Sequence, residues 1–314
     1  MPNSPTRIPK RLVGGNLINF AAARPQEFVD LCEAEYDARI RRISQAVLDS
    51  GCAVVLLTGP SSSGKTTSAN RLAQAIRAAG RRSEVISLDD FFVGEGRYPK
   101  RPDGSDDYEC VEALDIPLLQ SCLRDLAETG ECDMPQFDFL TQLPRPERRH
   151  VDCRDGVAVI EGLHAFNPLL TDHLPKSAVL LVYAGMREEY CDDAGARVLA
   201  TRDLRLARRI TRDYLFRGHD ANFTLNLWPH VISSENKYIK VFKNRADLVL
   251  DTSFSYEPGL WRQVLLPLVE KMAPGSSRAA RLASLCAQLR PFLPVDQTLV
   301  PQRSILREFI GKTP

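Results

Sequence analysis

The stretch 59–67, GPSSSGKTT, has the residue types and spacing of a phosphate-binding loop. It matches the pattern G-x-x-x-x-G-K-[ST] through Gly59, Gly64, Lys65 and Thr66. Glycines let the backbone wrap around a phosphate, and successive N–H groups together with the start of the next helix point at its negative charge. The lysine adds a positive charge, and the threonine hydroxyl can complete a magnesium shell. The candidate nucleotide-binding residues are Gly59, Pro60, Ser61, Ser62, Ser63, Gly64, Lys65, Thr66 and Thr67.

The alternative interpretation of this stretch is a chance turn rich in Gly and Ser. A continuous apolar run, AVVLLT (53–58), precedes the stretch, and a helical pattern (65–79) follows it. A strand, a glycine-rich loop and a helix in this order form the context in which phosphate-binding loops occur. The sequence therefore favours a nucleotide-binding loop.

Acidic residues end two further apolar runs. The run VAVIE (157–161) ends at Glu161, where a carboxylate would face the loop and help to hold magnesium; a surface acid is the alternative. The stretch ISLDDFF (86–92) ends with Asp89 and Asp90 followed by two phenylalanines. Neighbouring side chains on a strand point to opposite faces, so only one of these aspartates faces the phosphates if the strand continues. For Asp90 three roles stay open: a sugar contact, a water-mediated magnesium contact or a loop acid.

Four arginines in RLARRITRD (205–213) recur at i, i+3, i+4 and i+7, which places them on one face of a helix. They are Arg205, Arg208, Arg209 and Arg212. Leu206 and Ile210 point away from this face, toward a core. The guanidinium groups repel one another unless anions lie nearby, and a transferring phosphoryl group would supply that charge. An exposed basic helix or a partner-binding patch is the alternative.

Five apolar runs are predicted strands, and helical patterns lie between or after them. The strands are 53–58, 83–88, 156–161, 178–184 and 246–251, and the helices are 65–79, 112–128, 195–216 and 257–272. This alternation predicts a parallel sheet covered by helices. The predicted fold class is therefore α/β, a P-loop NTPase-type parallel sheet with helices on both faces, helical N- and C-terminal extensions and a helical lid.

The chain divides into three predicted parts. They are 1–50, an N-terminal extension with a helix; 51–255, the central domain with a lid at about 195–220; and 256–314, a helical C-terminal extension. Residues 1–24 are expected to be loosely structured, and a helix is expected from Pro25 to a stop at Gly51. The stretch APGSSR (273–278) is typical of a linker.

Composition excludes several classes of function. A net charge of +1 gives no global footprint for nucleic acid or an anionic membrane, and no apolar run is long enough to span a bilayer. Eight cysteines without a C-x-x-C pair favour reduced thiols in a cytoplasmic protein over a zinc site or a disulfide scaffold. The chain contains neither the N-K-x-D motif of regulatory GTPases nor the L-S-G-G-Q-like motif of transport ATPases.

In their order along the chain, these motifs resemble the uridine kinase and phosphoribulokinase family of P-loop kinases. The resemblance runs from about residue 53 to residue 255 and includes DYECVEALD (107–115) and MPQFDF (134–139). It implies ATP and Mg²⁺ as cofactors, with Thr66 and Glu161 as metal ligands. The catalytic residues that it implies are Asp89 as the base, Lys65, Arg208, Arg209 and Arg212. The substrate contacts that it implies are Asp90, Phe92, Tyr108, Glu109, Phe137, Asp138, Phe139, Gln142 and Arg205.

The resemblance implies transfer of the ATP γ-phosphoryl group to the 5′-hydroxyl of a uridine- or cytidine-like nucleoside. The sequence departs from the family pattern on the acceptor side: Asp90 and Phe92 replace the usual Ser and Tyr, and Gln142 stands near a usual His. A non-nucleoside alcohol such as a sugar, a polyol or a pantothenate-like compound is therefore the alternative acceptor, and a non-catalytic nucleotide-binding module is the alternative function. The expected partners are a small-molecule substrate and further copies of the chain, without nucleic acid or membrane.

Overall fold

The computed structural model describes residues 9–270 and 277–311. The α-helices in these ranges are α1 (Gly15–Ala22), α2 (Pro25–Ser50), α3 (Lys65–Ala78), α4 (Ile116–Glu128), α5 (Pro168–Thr171), α6 (Thr201–Arg217), α7 (Ala221–Glu235), α8 (Glu257–Glu270), α9 (Ser277–Leu289) and α10 (Arg307–Ile310). The strands are β1 (Arg11–Gly14), β2 (Val54–Thr58), β3 (Ser83–Ser87), β4 (Glu131–Met134), β5 (Phe137–Asp138), β6 (Leu143–Pro144), β7 (Arg149–Asp152), β8 (Val157–Glu161), β9 (Val179–Gly185), β10 (Glu188–Cys191), β11 (Arg197–Leu199) and β12 (Leu248–Asp251). Among the described helices, none combines the length and the apolar character needed to cross a membrane.

Strands β2, β3, β8, β9 and β12 form one parallel sheet in the order β12-β9-β2-β8-β3. They correspond to the five predicted strands. Every residue of the central strands β2 and β8 is buried, which explains their continuous apolar runs. Leu57 of β2 and Ser87 of β3 both lie beside Glu161 of β8 in the register. The carboxyl ends of three strands therefore meet at one edge of the sheet.

Helices cover both faces of this sheet. Val55 and Leu57 of β2 enter an apolar cluster that also contains residues of α2, α3 and α6, whereas Val54 and Leu56 enter a second cluster with residues of α4. Side chains alternate along a strand, so one strand contributes to both cores. The predicted α/β architecture is confirmed.

Residues 11–22 differ from the expectation that 1–24 are loosely structured. Strand β1 pairs in parallel with β10, and β10 pairs with β11, so that a separate three-stranded sheet forms. Helix α1 follows directly and buries Ile18 and Ala22. The expectation was wrong because the partner of β1 lies far along the chain, where a local residue pattern does not reveal it. Residues 1–8 lie outside the described part of the chain.

Local signals predicted α2 more closely. Pro25 occupies its first turn, and Gly51 ends it with a left-handed φ of 66°. The helix predicted over 195–216 begins later, at Thr201, because 197–199 form the edge strand β11. The predicted linker 273–278 lies mostly outside the described residues.

The C-terminal extension belongs to the same core as the central sheet. Trp261 of α8, Leu282 of α9 and Phe309 of α10 are fully buried and share the cluster of Val55. After α9 the chain runs through a segment with several prolines and returns to the sheet edge at α10. The extension is therefore packed against the phosphate-binding loop and not separated from it.

Candidate active site

A cavity of about 340 Å³ opens at the carboxyl edge of the sheet, where the phosphate-binding loop joins β2 to α3. Polar and charged side chains dominate its wall. The lining residues include Ser61, Ser62, Lys65, Thr66, Asp89, Phe92, Tyr108, Glu109, Glu161, His164, Arg209, Arg212, Arg217, Glu235 and Glu308. Residues from the loop, three strand ends, the helix α6 and the C-terminal helix α10 therefore converge on one space.

The loop itself has the backbone shape of a phosphate cradle. A Cβ atom on Gly59 would lie 2.0 Å from the carbonyl oxygen of Ala184, so only glycine fits there. Gly64 has a φ of 81° and directly precedes α3, whose first residue is Lys65. The hydroxyl oxygens of Ser62 and Ser63 are buried and have no hydrogen-bond partner among the described residues. Since buried polar groups are normally bonded, these hydroxyls suit a bound anion with acceptor oxygens.

Thr66 and Glu161 meet beside the loop. The Thr66 hydroxyl donates to Oε1 of Glu161 over 3.0 Å. Burial raises the pKa of Glu161, and the positive charge of Lys65 opposes this effect. Within the described ranges no group of three or more His, Cys, Asp or Glu side chains is arranged to hold a metal ion. The hydroxyl and carboxylate oxygens of Thr66 and Glu161 suit a magnesium ion whose other ligands are phosphate oxygens and water, as is usual in nucleotide enzymes.

Asp89 and Asp90 lie beyond the end of strand β3, and their side chains have different surroundings. They lie in a 3₁₀ turn, Leu88–Phe91, and the Ser87 hydroxyl accepts the N–H of Asp89 over 3.2 Å. Asp89 lines the cavity, whereas Asp90 accepts the backbone N–H of Phe137 over 3.4 Å. Asp90 therefore ties the neighbouring hairpin to this turn, which favours the loop acid among the three roles left open.

The environment of Asp89 raises its pKa. The side chain faces the cavity, and desolvation by the surrounding protein is the largest effect on its pKa. Lys65 lowers the pKa and Asp90 raises it through their charges. Asp89 therefore sits beside the cradle lysine, in a place where a proton is held more readily than on an exposed aspartate.

The four arginines that the sequence pattern singled out, which are among six in α6, separate into two pairs. Arg209 and Arg212 line the cavity, and Arg209 donates to the Ser61 hydroxyl over 2.7 Å. Arg217, one turn farther along, lines it too, although the sequence pattern did not single it out. All three form ion pairs with one carboxylate, Asp213, at 3.2 to 3.5 Å. Three guanidinium groups thus share a single nearby acid of their own helix, which leaves positive charge at the cavity wall.

Arg205 and Arg208 do not share that position, which corrects the expectation that all four face one anion. Arg208 is fully buried and pairs with Glu257 of α8 at 2.5 Å. Arg205 pairs with Glu235 of α7 at 2.5 Å. Both arginines also donate to carbonyl oxygens of the loop, at Ser61 and Ser62. On this side the helix supports the loop through Arg205 and Arg208, whose charges are neutralised by carboxylates from later in the chain.

The acceptor side of the cavity holds three of the substrate contacts implied by the family resemblance. Phe92, Tyr108 and Glu109 line the cavity. Tyr98 links the two aromatic rings, with centroids 6.0 Å from Phe92 and 4.6 Å from Tyr108. Burial raises the pKa of Glu109, and the charge of Arg209 lowers it. This wall combines aromatic faces with one acid.

Four further predicted acceptor contacts come from the segment 137–142 and lie outside the cavity lining. Phe137 packs on Phe92 with ring centroids 5.6 Å apart, and Phe139 packs on Phe137. Asp138 accepts the N–H of Leu140 over 2.9 Å, within the β5–β6 hairpin. The described cavity lining contains none of the four residues predicted from this segment, which are Phe137, Asp138, Phe139 and Gln142. Phe137 and Phe139 support the wall from outside, whereas Asp138 and Gln142 bond within the hairpin.

His164 is a cavity residue that the sequence reasoning missed. It is buried, its Nε2 lies 3.0 Å from the carbonyl oxygen of Glu109, and its ring packs edge-on against Tyr238. Burial lowers its pKa to about 4, so the ring is neutral at neutral pH. The signal that could have found it is a histidine in the apolar stretch that follows Glu161. With Nε2 donating to Glu109, Nδ1 is buried without a hydrogen-bond partner among the described residues.

Comparison with known proteins gives a consistent family. Residues 54–255 match the family described as Phosphoribulokinase / Uridine kinase family. A uridine kinase of Deinococcus deserti is 27% identical over 208 residues, which cover 66% of this chain and 91% of that protein. A uridine kinase of Lactobacillus helveticus is 25% identical over 198 residues, 63% of this chain and 85% of that one.

Among solved structures, one described as a possible uridine kinase from Bacillus stearothermophilus is 21% identical. The comparison covers 69% of this chain and 100% of that one, with a TM-score of 0.46. The family match, by contrast, spans well over half of the chain and includes the loop, Asp89, Glu161 and helix α6. The chain belongs to the phosphoribulokinase and uridine kinase family.

Proposed function

We propose that this protein is an ATP-dependent kinase that transfers the γ-phosphoryl group of ATP to a hydroxyl group of a small molecule. The acceptor that we propose is the 5′-hydroxyl of a uridine- or cytidine-like nucleoside. The observation that carries the proposal is the meeting of Lys65, Asp89 and Glu161 in one cavity, where the positive charge of Lys65 lowers the pKa of both carboxyl groups against the effect of burial. A nucleotide-binding module without catalysis would have no use for an aspartate at that point.

The loop and the arginines bind and orient the phosphates. The backbone N–H groups of the loop and the Lys65 ammonium hold the β- and γ-phosphates. Arg209, Arg212 and Arg217 stabilise the negative charge that spreads over the transferring group. They have positive charge to offer because the three of them share one carboxylate of α6, Asp213. Thr66 and Glu161 would hold magnesium, whose positive charge would offset the negative charge of the phosphates.

Asp89 orients the acceptor hydroxyl and receives its proton. The hydroxyl oxygen forms a bond to the γ-phosphorus while the bond to the bridging oxygen breaks, so that ADP and a phosphate monoester result. The raised pKa of Asp89 makes it a better proton acceptor than an exposed aspartate. Its larger contribution is alignment of the hydroxyl with the phosphorus, because even a raised aspartate is a weak base.

One observation favours the second candidate acceptor, a non-nucleoside alcohol. The hairpin residues predicted to read a pyrimidine do not line the cavity, and the Asp138 carboxylate accepts two backbone N–H groups of its own hairpin. A smaller or less aromatic alcohol would need only the wall formed by Phe92, Tyr108 and Glu109. The nucleoside proposal therefore requires the hairpin to move when the acceptor binds.

A substrate panel tests the proposal. Purified protein is incubated with ATP and magnesium and with individual nucleosides, sugars and polyols, and mass spectrometry detects the monophosphate of each. We expect one compound class to gain a phosphoryl group, uridine and cytidine first. Release of only ADP and free phosphate across the whole panel would contradict the kinase proposal. Phosphorylation of a polyol but of no nucleoside would show that the acceptor is a non-nucleoside alcohol.

We also propose a cytoplasmic location and a homo-oligomer. The eight cysteines are all free in the structure, which suits a reducing compartment. Helix α1 exposes two large apolar side chains, Leu17 and Phe20, with 84% of Phe20 exposed. Light scattering after size exclusion measures the molecular mass, and a monomer at micromolar concentration would contradict the oligomer.

A further inference from the structure

The C-terminal helix α10 reaches the phosphate-binding loop. Ile305 packs against the loop at Gly64, where a Cβ atom would lie 2.8 Å from its Cδ1. The Phe309 ring lies 5.2 Å from the buried guanidinium of Arg208. Ile305, Leu306 and Phe309 are fully buried. These contacts fix the segment against both the cradle and α6.

The docked segment places one carboxylate in the cavity. Glu308 lines it, and the Thr67 hydroxyl of the loop donates to Glu308 over 2.6 Å. The Arg212 guanidinium lies 3.9 Å from Glu308 on one side and 3.2 Å from Asp213 on the other. Arg212 is thereby held between two acids, one from its own helix and one from the C-terminal extension.

This placement carries an electrostatic cost that packing alone does not explain. Glu308 lines the same cavity as the carboxyl groups of Asp89, Glu109 and Glu161, and negative charges gathered in one cavity repel one another. The apolar neighbours of Glu308 in sequence already anchor the segment, and a neutral side chain would avoid the repulsion. A charge at this position therefore points to a role in the site.

We propose that Glu308 is a positioning residue for phosphoryl transfer. It holds the Arg212 guanidinium toward the transferring group and fixes Thr67 at the start of α3. The C-terminal extension is then a working part of the active site and not only a cover for the core. This inference rests on the proposed kinase function, within which it assigns a role outside the region matched by the family, residues 54–255.

The test compares Glu308→Gln with a matched control, Asp296→Asn. Glutamine keeps the shape and an acceptor for Thr67 but loses the charge that holds Arg212. Asp296 lies in the same extension, is not among the residues that line the cavity, and caps a turn by accepting the N–H of Thr298, which asparagine can also do. ATP consumption with and without acceptor, affinity for a non-hydrolysable ATP analogue, and thermal stability are measured for each.

We expect Glu308→Gln to lower turnover by about ten- to a hundredfold, as a displaced catalytic group does. Its affinity for the analogue should not weaken, because a negative charge near the phosphates is removed, and Asp296→Asn should behave as the original protein. Turnover within twofold of the original protein would overturn the inference. A parallel loss of analogue affinity and thermal stability would overturn it as well, because it would indicate a structural role.

A double-mutant cycle tests the route through Arg212. In an Arg212→Gln background, adding Glu308→Gln should change turnover by less than about threefold, because the group that Glu308 positions is gone. Additive losses would contradict positioning through Arg212. If the original protein consumes ATP without phosphorylating any acceptor, the kinase proposal fails alone, and the same cycle on ATP consumption still decides the role of Glu308.

Discussion

At the scale of single residues, the cavity concentrates carboxyl groups in conditions that disfavour their charge. Burial raises the pKa values of Asp89, Glu109 and Glu161. Lys65 lowers the pKa of each, so one ammonium group offsets part of the cost of all three. Clusters of this kind are typical of catalytic sites, where charge complementarity to a substrate takes precedence over the stability of the free protein.

Asp89→Asn tests the base. We expect turnover to fall by about a hundredfold or more, while a non-hydrolysable ATP analogue still binds, because asparagine neither accepts the proton nor aligns the hydroxyl in the same way. In the original protein, kcat/KM should decline on acidification. Because the pKa of Asp89 is raised, the decline should begin at a higher pH than the pKa of an ordinary aspartate, about 3.9, would give. Near-normal turnover of the variant would exclude Asp89 as the base.

His164 gives a pH-dependent prediction for stability. Its pKa is about 4 in the folded protein, against 6.5 for an ordinary histidine. Between these values the unfolded chain binds a proton that the folded protein excludes, so stability falls as the pH decreases from 6.5 toward 4. The loss amounts to about 3 kcal/mol, at 1.36 kcal/mol for each pKa unit.

The variant His164→Gln should lack this part of the pH dependence, because glutamine does not titrate and can still donate to the carbonyl of Glu109. Urea unfolding between pH 4 and pH 7 measures the effect. His173→Gln, at an exposed position after α5, is the control and should keep the original slope. An unchanged slope in His164→Gln would show that other groups cause the acid sensitivity.

At the scale of elements, helix α6 has one row of arginines in buried ion pairs and a second row at the cavity wall. The i, i+3, i+4 and i+7 spacing predicted that the four arginines share one face of the helix. It could not separate the two rows, because the carboxylates that pair with Arg205 and Arg208 come from other helices. Leu206 and Ile210 are buried, as their spacing predicted. A helical pattern therefore predicts on which face of the helix a side chain lies. Whether an arginine on that face is neutralised depends on the carboxylates that other elements place beside it.

Two substitutions to methionine separate these rows. Arg208→Met leaves Glu257 buried without its cation, so we expect a loss of stability of about 3–5 kcal/mol in denaturant unfolding. Arg212→Met, at the cavity wall, should change stability by less than about 1 kcal/mol and lower turnover by at least about tenfold. Equal stability of the two variants would refute the distinction.

At the scale of the whole molecule, the extensions and the central sheet form one body. Helices α2, α8, α9 and α10 contribute to the same apolar cluster as β2. Tyr256, next to α8, donates to Glu33 of α2 over 2.7 Å, across 223 residues of sequence. Events at the loop are therefore expected to affect the stability of the entire protein.

Thermal unfolding with ATP and magnesium tests this expectation. Ligand at a hundred times its Kd should stabilise the folded protein by about 2.7 kcal/mol, in a single cooperative transition. Lys65→Ala should abolish most of that stabilisation, since the cradle loses its positive charge. A ligand effect of equal size in the variant would contradict nucleotide binding at the loop.

The sequence by itself determined the five central strands, the phosphate-binding loop and the family, because these depend on local patterns of apolar residues, glycines and charges. It also predicted α2, through its proline and glycine end signals. The sequence did not predict strand β1, because the pairing of β1 with β10 joins residues that lie far apart in the chain. The sequence also did not predict the ion pair between Arg208 and Glu257, the burial of His164 or the hydrogen bond between Thr67 and Glu308. Only the tertiary structure decided which charges are neutralised in the core and which remain at the cavity, because the partner of each charge comes from another part of the chain.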